Sequence, residues 1–163
     1  MHRILFVCTG NICRSPTAEV VFRAKAQAAG LGERVFVDSA GTASYHVGEP
    51  ADGRSAEAAR RRGYRFEGQI ARQVRANDFE TFDLILALDA GHLAALRRLC
   101  PPARRDRLAL LMDHASPPWA GSDVPDPYYG GAGGFDDVLD RIEDACDGLV
   151  ERLKAVPLVS EKS

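Results

Sequence analysis

At 163 residues the chain is long enough to bury one sizeable core and short for two. Its formal net charge of −2 and pI near 6.1 argue against nucleic acid or an anionic membrane as the main partner. Four cysteines without paired Cys-x-x-Cys spacing, no visible signal peptide and no apolar run approaching ~20 residues argue against zinc, a disulfide framework and a membrane span, and predict a cytoplasmic protein.

The first apolar run, Arg3 to Val7, predicts a buried strand. Cys8-Thr9-Gly10-Asn11-Ile12-Cys13-Arg14-Ser15 follows and turns into a helix predicted over Pro16 to Ala29. Gly10 and Asn11 are types that tolerate positive φ. Pro16 suits the first helical position and Ser15 an N-cap. A loop wound this way turns successive backbone N–H groups inward as an anion nest, with the positive end of the helix dipole behind it. Arg14 adds a planar fork able to grip two oxygens of a tetrahedral anion. The same field favours a thiolate, so Cys8 is expected to be a nucleophile, with the hydroxyls of Thr9 and Ser15 placed to steady it. The alternative is a buried cysteine at a strand end followed by an ordinary turn. No Gly-Lys-Ser/Thr follows, and the glycine spacing of a dinucleotide fingerprint is absent.

Further strands are predicted at Arg34 to Asp38, Leu84 to Leu88 and Leu108 to Met112, and helices at Ala51 to Arg62, Asn77 to Thr81, Ala90 to Leu99 and Phe135 to Leu153. Mostly continuous apolar strands alternating with helices predict an α/β domain: an open, doubly wound sheet of four parallel strands with helices on both faces. One domain is expected over 1–156, with a loose tail at 157–163. The last helix carries an apolar stripe that includes Ile142, Cys146 and Leu149, with Asp136 and Asp137 in its first turn. Cys146 therefore reads as core, and Cys100 carries no assigned chemistry. Arg60-Arg61-Arg62 reads as a solvated face. His2, His46, His92 and His114 share no ligand spacing and read as surface or loop residues, so neither a metal nor another cofactor is expected. Ser116 to Pro127 reads as a long loop stiffened by proline. Ligands of open α/β sheets sit at the carboxyl ends of the strands, where Cys8, Ser39 and Asp89 are expected to gather.

Val7 to Pro16 resembles the signature of the low-molecular-weight protein tyrosine phosphatases. Asp126-Pro127-Tyr128-Tyr129-Gly130 resembles that family's general-acid loop, and Asp38 to Thr42 and Ala71-Arg72-Gln73 also match. The resemblance implies a phosphotyrosine phosphatase I-like fold and a phosphate loop from Thr9 through Gly10, Asn11, Ile12, Cys13 and Arg14 to Ser15. It implies hydrolysis of phosphotyrosine and other aryl phosphates through a cysteinyl-phosphate on Cys8, with Arg14 holding the phosphoryl oxygens and Asp126 as general acid and base. By its residues alone, Asp126 before Pro127 is equally a turn residue.

Ile12, Tyr45, Tyr128 and Tyr129 are the expected walls of the substrate socket, the alternative for Tyr45 being an exposed loop tyrosine. Relatives acting on phosphoarginine resemble one another in a threonine at the Ile12 position. Asn11 and Ser39 are expected to support the loop together with Gln69, which stands where eukaryotic members commonly carry a histidine. Asp89 matches a family aspartate near the loop and is otherwise a helix N-cap. In the family a reversible disulfide joins the pair matching Cys8 and Cys13, while a purely structural Cys13 stays open. The implied partner is a phosphotyrosine-bearing protein, a tyrosine kinase among the candidates. An arsenate reductase on the same fold would need resolving thiols, and Ala87 to Leu99 has none. A non-catalytic phosphotyrosine-binding module would not need both thiol and acid.

Overall fold

β1, His2–Cys8, is buried from Ile4 to its end, which requires cover on both sides. Side chains alternate along a strand. Ile4, Phe6 and Cys8 therefore enter one apolar cluster, and Leu5 and Val7 the other. The computed structural model describes residues 1–127 and 133–155.

β1 is a central strand of a four-stranded parallel sheet in the order β2-β1-β3-β4. β2 spans Val35–Gly41, β3 Leu84–Ala87 and β4 Leu108–Leu110. Ile4 sits between Val37 and Leu84, and Val7 between Ala40 and Ala87. On one face lie α1 (Arg14–Ala28), α2 (Gly53–Arg61) and α5 (Gly134–Ala155). Phe22 of α1 meets Phe6 there with ring centroids 5.8 Å apart, and Ile142, Cys146 and Leu149 of α5 close the layer. On the other face α3 (Asp78–Thr81) and α4 (Ala90–Leu99) contribute Phe79 and Leu96. The α/β architecture is thus the doubly wound one expected. No helix among the described residues is long and apolar enough to cross a membrane. The predicted tail, 157–163, lies outside the described residues.

Several boundaries shift by a residue or more, and three of the shifts bear on the site or the core. β2 runs on to Gly41, because its pairing with β1 continues to Cys8↔Gly41 through the small residues Ser39 and Ala40. β4 stops at Leu110, and Leu111 and Met112 are buried in a 3-10 turn instead. α1 begins at Arg14, with Cys13 in the capping position and no side-chain cap. Pro16 still falls in the first turn, where no N–H is required. Of the three consecutive arginines, Arg60 and Arg61 are exposed as expected, and Arg62 is half-buried. Arg62 ties α2 to α5 through Glu143 and Asp140, the latter at 2.9 Å.

Candidate active site

The chain leaves β1 at Cys8 and winds into α1 over six residues. Asn11 takes φ +58°, a conformation open to few residues other than glycine. Its side chain holds it there. Nδ2 donates to Ser15 Oγ and Ser39 Oγ, each at 2.9 Å, and Oδ1 accepts from the Arg72 N–H at 3.0 Å. Arg72 is in turn fixed by Asp78 at 3.0 Å and Asp38 at 3.1 Å. Gly10 does not take positive φ. A Cβ there would lie 2.7 Å from the His46 ring, so its service is close approach. Gly41 serves likewise, since a Cβ would meet the Thr9 carbonyl at 2.5 Å.

The loop carbonyls turn away from the turn's interior. Cys8 O accepts from Thr42 N at 2.9 Å, Thr9 O from Ala43 N at 3.0 Å and Ile12 O from Asp52 N at 2.7 Å. Cys13 O accepts the Thr17 hydroxyl at 2.7 Å. In a trans peptide the N–H opposes the C=O. The N–H groups of Thr9, Gly10, Cys13 and Arg14 are therefore turned inward, the arrangement that cradles an anion.

The cradle floors a cavity of about 160 Å³. Cys8, Thr9, Gly10, Ile12, Cys13 and Arg14 line it, with Tyr45 and Asp126 beside them. The Cys8 sulfur lies 3.0 Å from Ser15 Oγ. Ser15 also receives Asn11 Nδ2, so its own hydrogen is available to the sulfur. It is not an N-cap; its hydroxyl is turned onto the cysteine from inside α1. The Thr9 hydroxyl, expected near the same sulfur, is instead 2.8 Å from His92 Nε2.

Arg14 is held almost out of solvent. Nη1 donates to Asp89 Oδ2 at 2.9 Å and to the Val124 carbonyl at 3.0 Å. Both Nη1 hydrogens are then engaged, and Nη2 is the end of the fork nearer the cavity-lining Asp126. Nη2 lies 3.9 Å from Asp126 Oδ2. Asp89 fulfils both roles left open for it, because Oδ1 caps α4 by accepting His92 N at 2.8 Å.

Two buried groups were missed from the sequence. Glu19 accepts from Ser39 Oγ at 2.7 Å and from Arg23 at 2.7 Å. Gln69 joins this network only through Glu19, at 3.4 Å. His92 was read as a surface or loop residue and is buried. Burial, and then the Arg14 charge, lower its pKa to about 4, so the ring is neutral at physiological pH. Neither burial has a local signal, since Ser39 and Gln69, which close over Glu19, and Thr9 and Arg14, which close over His92, are distant in the chain.

Cys13 is buried with its sulfur 2.9 Å from Ser55 Oγ, and burial pushes its thiol up to about 12. None of the four cysteines, Cys8, Cys13, Cys100 and Cys146, is in a disulfide. Tyr45 is 79% exposed, a wall only towards the mouth. His46 also lines the cavity and pairs with Glu49 at 2.9 Å. Tyr128 and Tyr129 lie outside the described residues.

A model of the family described as low molecular weight phosphotyrosine protein phosphatase matches residues 3–157. A low molecular weight protein-tyrosine-phosphatase of Streptomyces coelicolor is 49% identical, with 94% of each chain covered. The YfkJ protein of Bacillus subtilis, named likewise, is 39% identical, covering 94% of this chain and 97% of its own. A crystal structure of a protein tyrosine phosphatase from Entamoeba histolytica, with Hepes in the active site, superposes with a TM-score of 0.90 at 41% identity, covering 95% of this chain and 98% of that one.

Proposed function

The chain belongs to the low molecular weight phosphotyrosine protein phosphatase family, a class of hydrolases, and from that premise we propose that it hydrolyses phosphotyrosine and related aryl phosphates through a cysteinyl-phosphate on Cys8. The observation that carries this reading is the Cys8 sulfur at the floor of an anion cradle, with Ser15 Oγ at 3.0 Å and the Arg14 fork beside it.

In the first step the Cys8 thiolate attacks phosphorus in line with the ester oxygen. A P–S bond forms, the P–O bond breaks, and Asp126 gives its proton to the departing phenolate. The inward N–H groups and the Nε–Nη2 edge of Arg14 bind the equatorial oxygens, where charge is spread in the transition state. In the second step Asp126, now a carboxylate, takes a proton from water. That water attacks phosphorus, the P–S bond breaks, and inorganic phosphate leaves. The Ser15 hydroxyl steadies the sulfur anion as attacker and as leaving group. Each turnover consumes one water, and the chain itself supplies nucleophile, acid and charge clamp, so the reaction calls for no cofactor.

Ile12 and Tyr45, which line the cavity, are the proposed walls for the phenyl ring; Tyr128 and Tyr129, expected beside them, lie outside the described residues. A ring-lined socket favours phosphotyrosine over shorter phosphoserine. The substrate is then a phosphotyrosine-bearing protein, with tyrosine kinases among the candidates. The catalytic unit comprises residues 1–156. A cytoplasmic site of action suits four cysteines without paired spacing in the sequence.

The test is hydrolysis of p-nitrophenyl phosphate and of a phosphotyrosine peptide by the wild type and by Cys8→Ser. Activity on both, abolished in the variant, is expected. Equal rates in the two proteins would overturn the mechanism.

A further inference from the structure

His92 reaches the cradle from the first turn of α4 and touches it at two points. Nε2 lies 2.8 Å from the Thr9 hydroxyl and 3.4 Å from Arg14 Nη2. A guanidinium can only donate, so Nε2 is the acceptor and the ring proton belongs on Nδ1. Nδ1 lies 3.2 Å from Asp89 Oδ1, off the line of a good hydrogen bond. The Thr9 hydroxyl, at 2.8 Å, then gives its hydrogen to the single Nε2 lone pair, which Arg14 Nη2 shares as the longer contact at 3.4 Å. Asp89 accepts the His92 backbone N–H on one oxygen and holds Arg14 on the other. Arg14, Asp89 and His92 thus form a closed ring of contacts, and Thr9 ties that ring to the start of the loop. Asp89 and Val124 hold Nη1, on the far side of the guanidinium. His92 holds Nη2, the end of the fork nearer the cavity-lining Asp126.

We propose that His92 is a positioning residue for the phosphate cradle, fixing the Thr9 end of the loop and the Nη2 edge of Arg14 in the geometry that receives the phosphoryl oxygens. The inference rests on the phosphatase reading of this site. Its physical basis is preorganisation: a guanidinium and a loop turn held before the anion arrives lose no freedom on binding it. A neutral ring is required. The charged groups facing it are Arg14 from α1, Asp89 at the head of α4, and Asp123 and Asp126 from the loop before α5. Protonation would remove the acceptor lone pair and set a second cation against Arg14.

Three variants separate this role from a merely structural one. His92→Gln carries an amide oxygen to the level of Nε2, His92→Asn reaches only the level of Nδ1, and Thr9→Val removes the bond from its other end. Affinity for inorganic phosphate is measured by calorimetry, and vanadate inhibition and turnover with p-nitrophenyl phosphate. His92→Asn should weaken phosphate and vanadate binding by about tenfold or more, as expected for a lost bond beside a charged group. His92→Gln should recover most of that loss. Thr9→Val should weaken binding in the wild type and add little to His92→Asn. Wild-type affinity per folded molecule in His92→Asn, equal losses in the Asn and Gln variants, or independent effects of the Thr9 and His92 changes would overturn the proposal. Should His92→Asn fail to fold, unchanged phosphate affinity in Thr9→Val would overturn it. A wild-type protein that neither binds phosphate nor hydrolyses the ester would overturn the phosphatase reading as well. Normal wild-type behaviour with an indifferent His92 removes only this inference.

Discussion

Arg14 and Asp89, 75 residues apart in sequence, meet at 2.9 Å, and the same aspartate caps α4. One side chain thus orients the arginine proposed to grip phosphate and starts the helix that carries His92. The two duties are separable. Asn is as good an N-cap as Asp but carries no charge for Arg14. Asp89→Asn should therefore keep nearly full stability while weakening vanadate inhibition and kcat/KM by about tenfold or more. Asp89→Ala should lose about 1 kcal/mol of stability besides. Denaturant titration and inhibition kinetics check both. Equal stability loss in the two variants, with unchanged vanadate binding, would refute the division.

Asp126 is the assigned proton donor. Asp126→Asn should lower kcat on phosphotyrosine by ~10²–10⁴-fold. The loss should shrink for p-nitrophenyl phosphate, whose leaving group needs less protonation. Steady-state kinetics on the two esters give the comparison, and a uniform or absent loss would remove Asp126 from the acid role.

The thiols should differ sharply in reactivity. Cys13 stays protonated at neutral pH because burial pushes its pKa up to about 12, and Cys146, wholly buried in the core, is raised for the same reason. Iodoacetate at pH 7 should label Cys8 first, with loss of activity, and inorganic phosphate should protect it. Peptide mapping reads the site. Labelling of Cys13 or Cys146 ahead of Cys8 would contradict the assignment.

His92 also leaves a mark on stability. Its pKa is about 4 in the fold against an ordinary 6.5. Between those values the unfolded chain binds the proton more readily than the folded one. This contribution is therefore fully present above pH 6.5 and is lost as the pH falls towards 4. The loss is at most roughly 3 kcal/mol. Urea midpoints followed between pH 7 and 4 should fall more steeply for the wild type than for His92→Gln. Parallel curves would show that His92 titrates normally.

Much of the fold was legible because its signals are local. The Ile4 to Val7 run needs no context to read as a buried strand, and Ala90 to Leu99 was bounded correctly by its Asp89 cap and the prolines after Cys100. The loop that carries Cys8 to Arg14 was legible for the same reason, since strand end, loop and helix start are contiguous. What escaped was decided across the chain. Ser39 to Gly41 has little strand preference of its own and is drawn into β2 by pairing with β1. His92 stands among small and apolar neighbours, Ala90, Gly91, Leu93 and Ala94, that give no sign of a polar partner, and is buried against Thr9 and Arg14. Ser15 has the composition of a cap, but the fold brings Asn11 and the Cys8 sulfur to its hydroxyl. Glu19 looks like any helical glutamate until Ser39, Arg23 and Gln69 close around it.

The most direct test is to quench turnover of an aryl phosphate within milliseconds and map the protein by mass spectrometry. A phosphoryl group on the sulfur of Cys8, formed and discharged at rates that account for turnover, is the predicted result. Steady release of phosphate with no such adduct, or with the adduct on another side chain, would contradict the account.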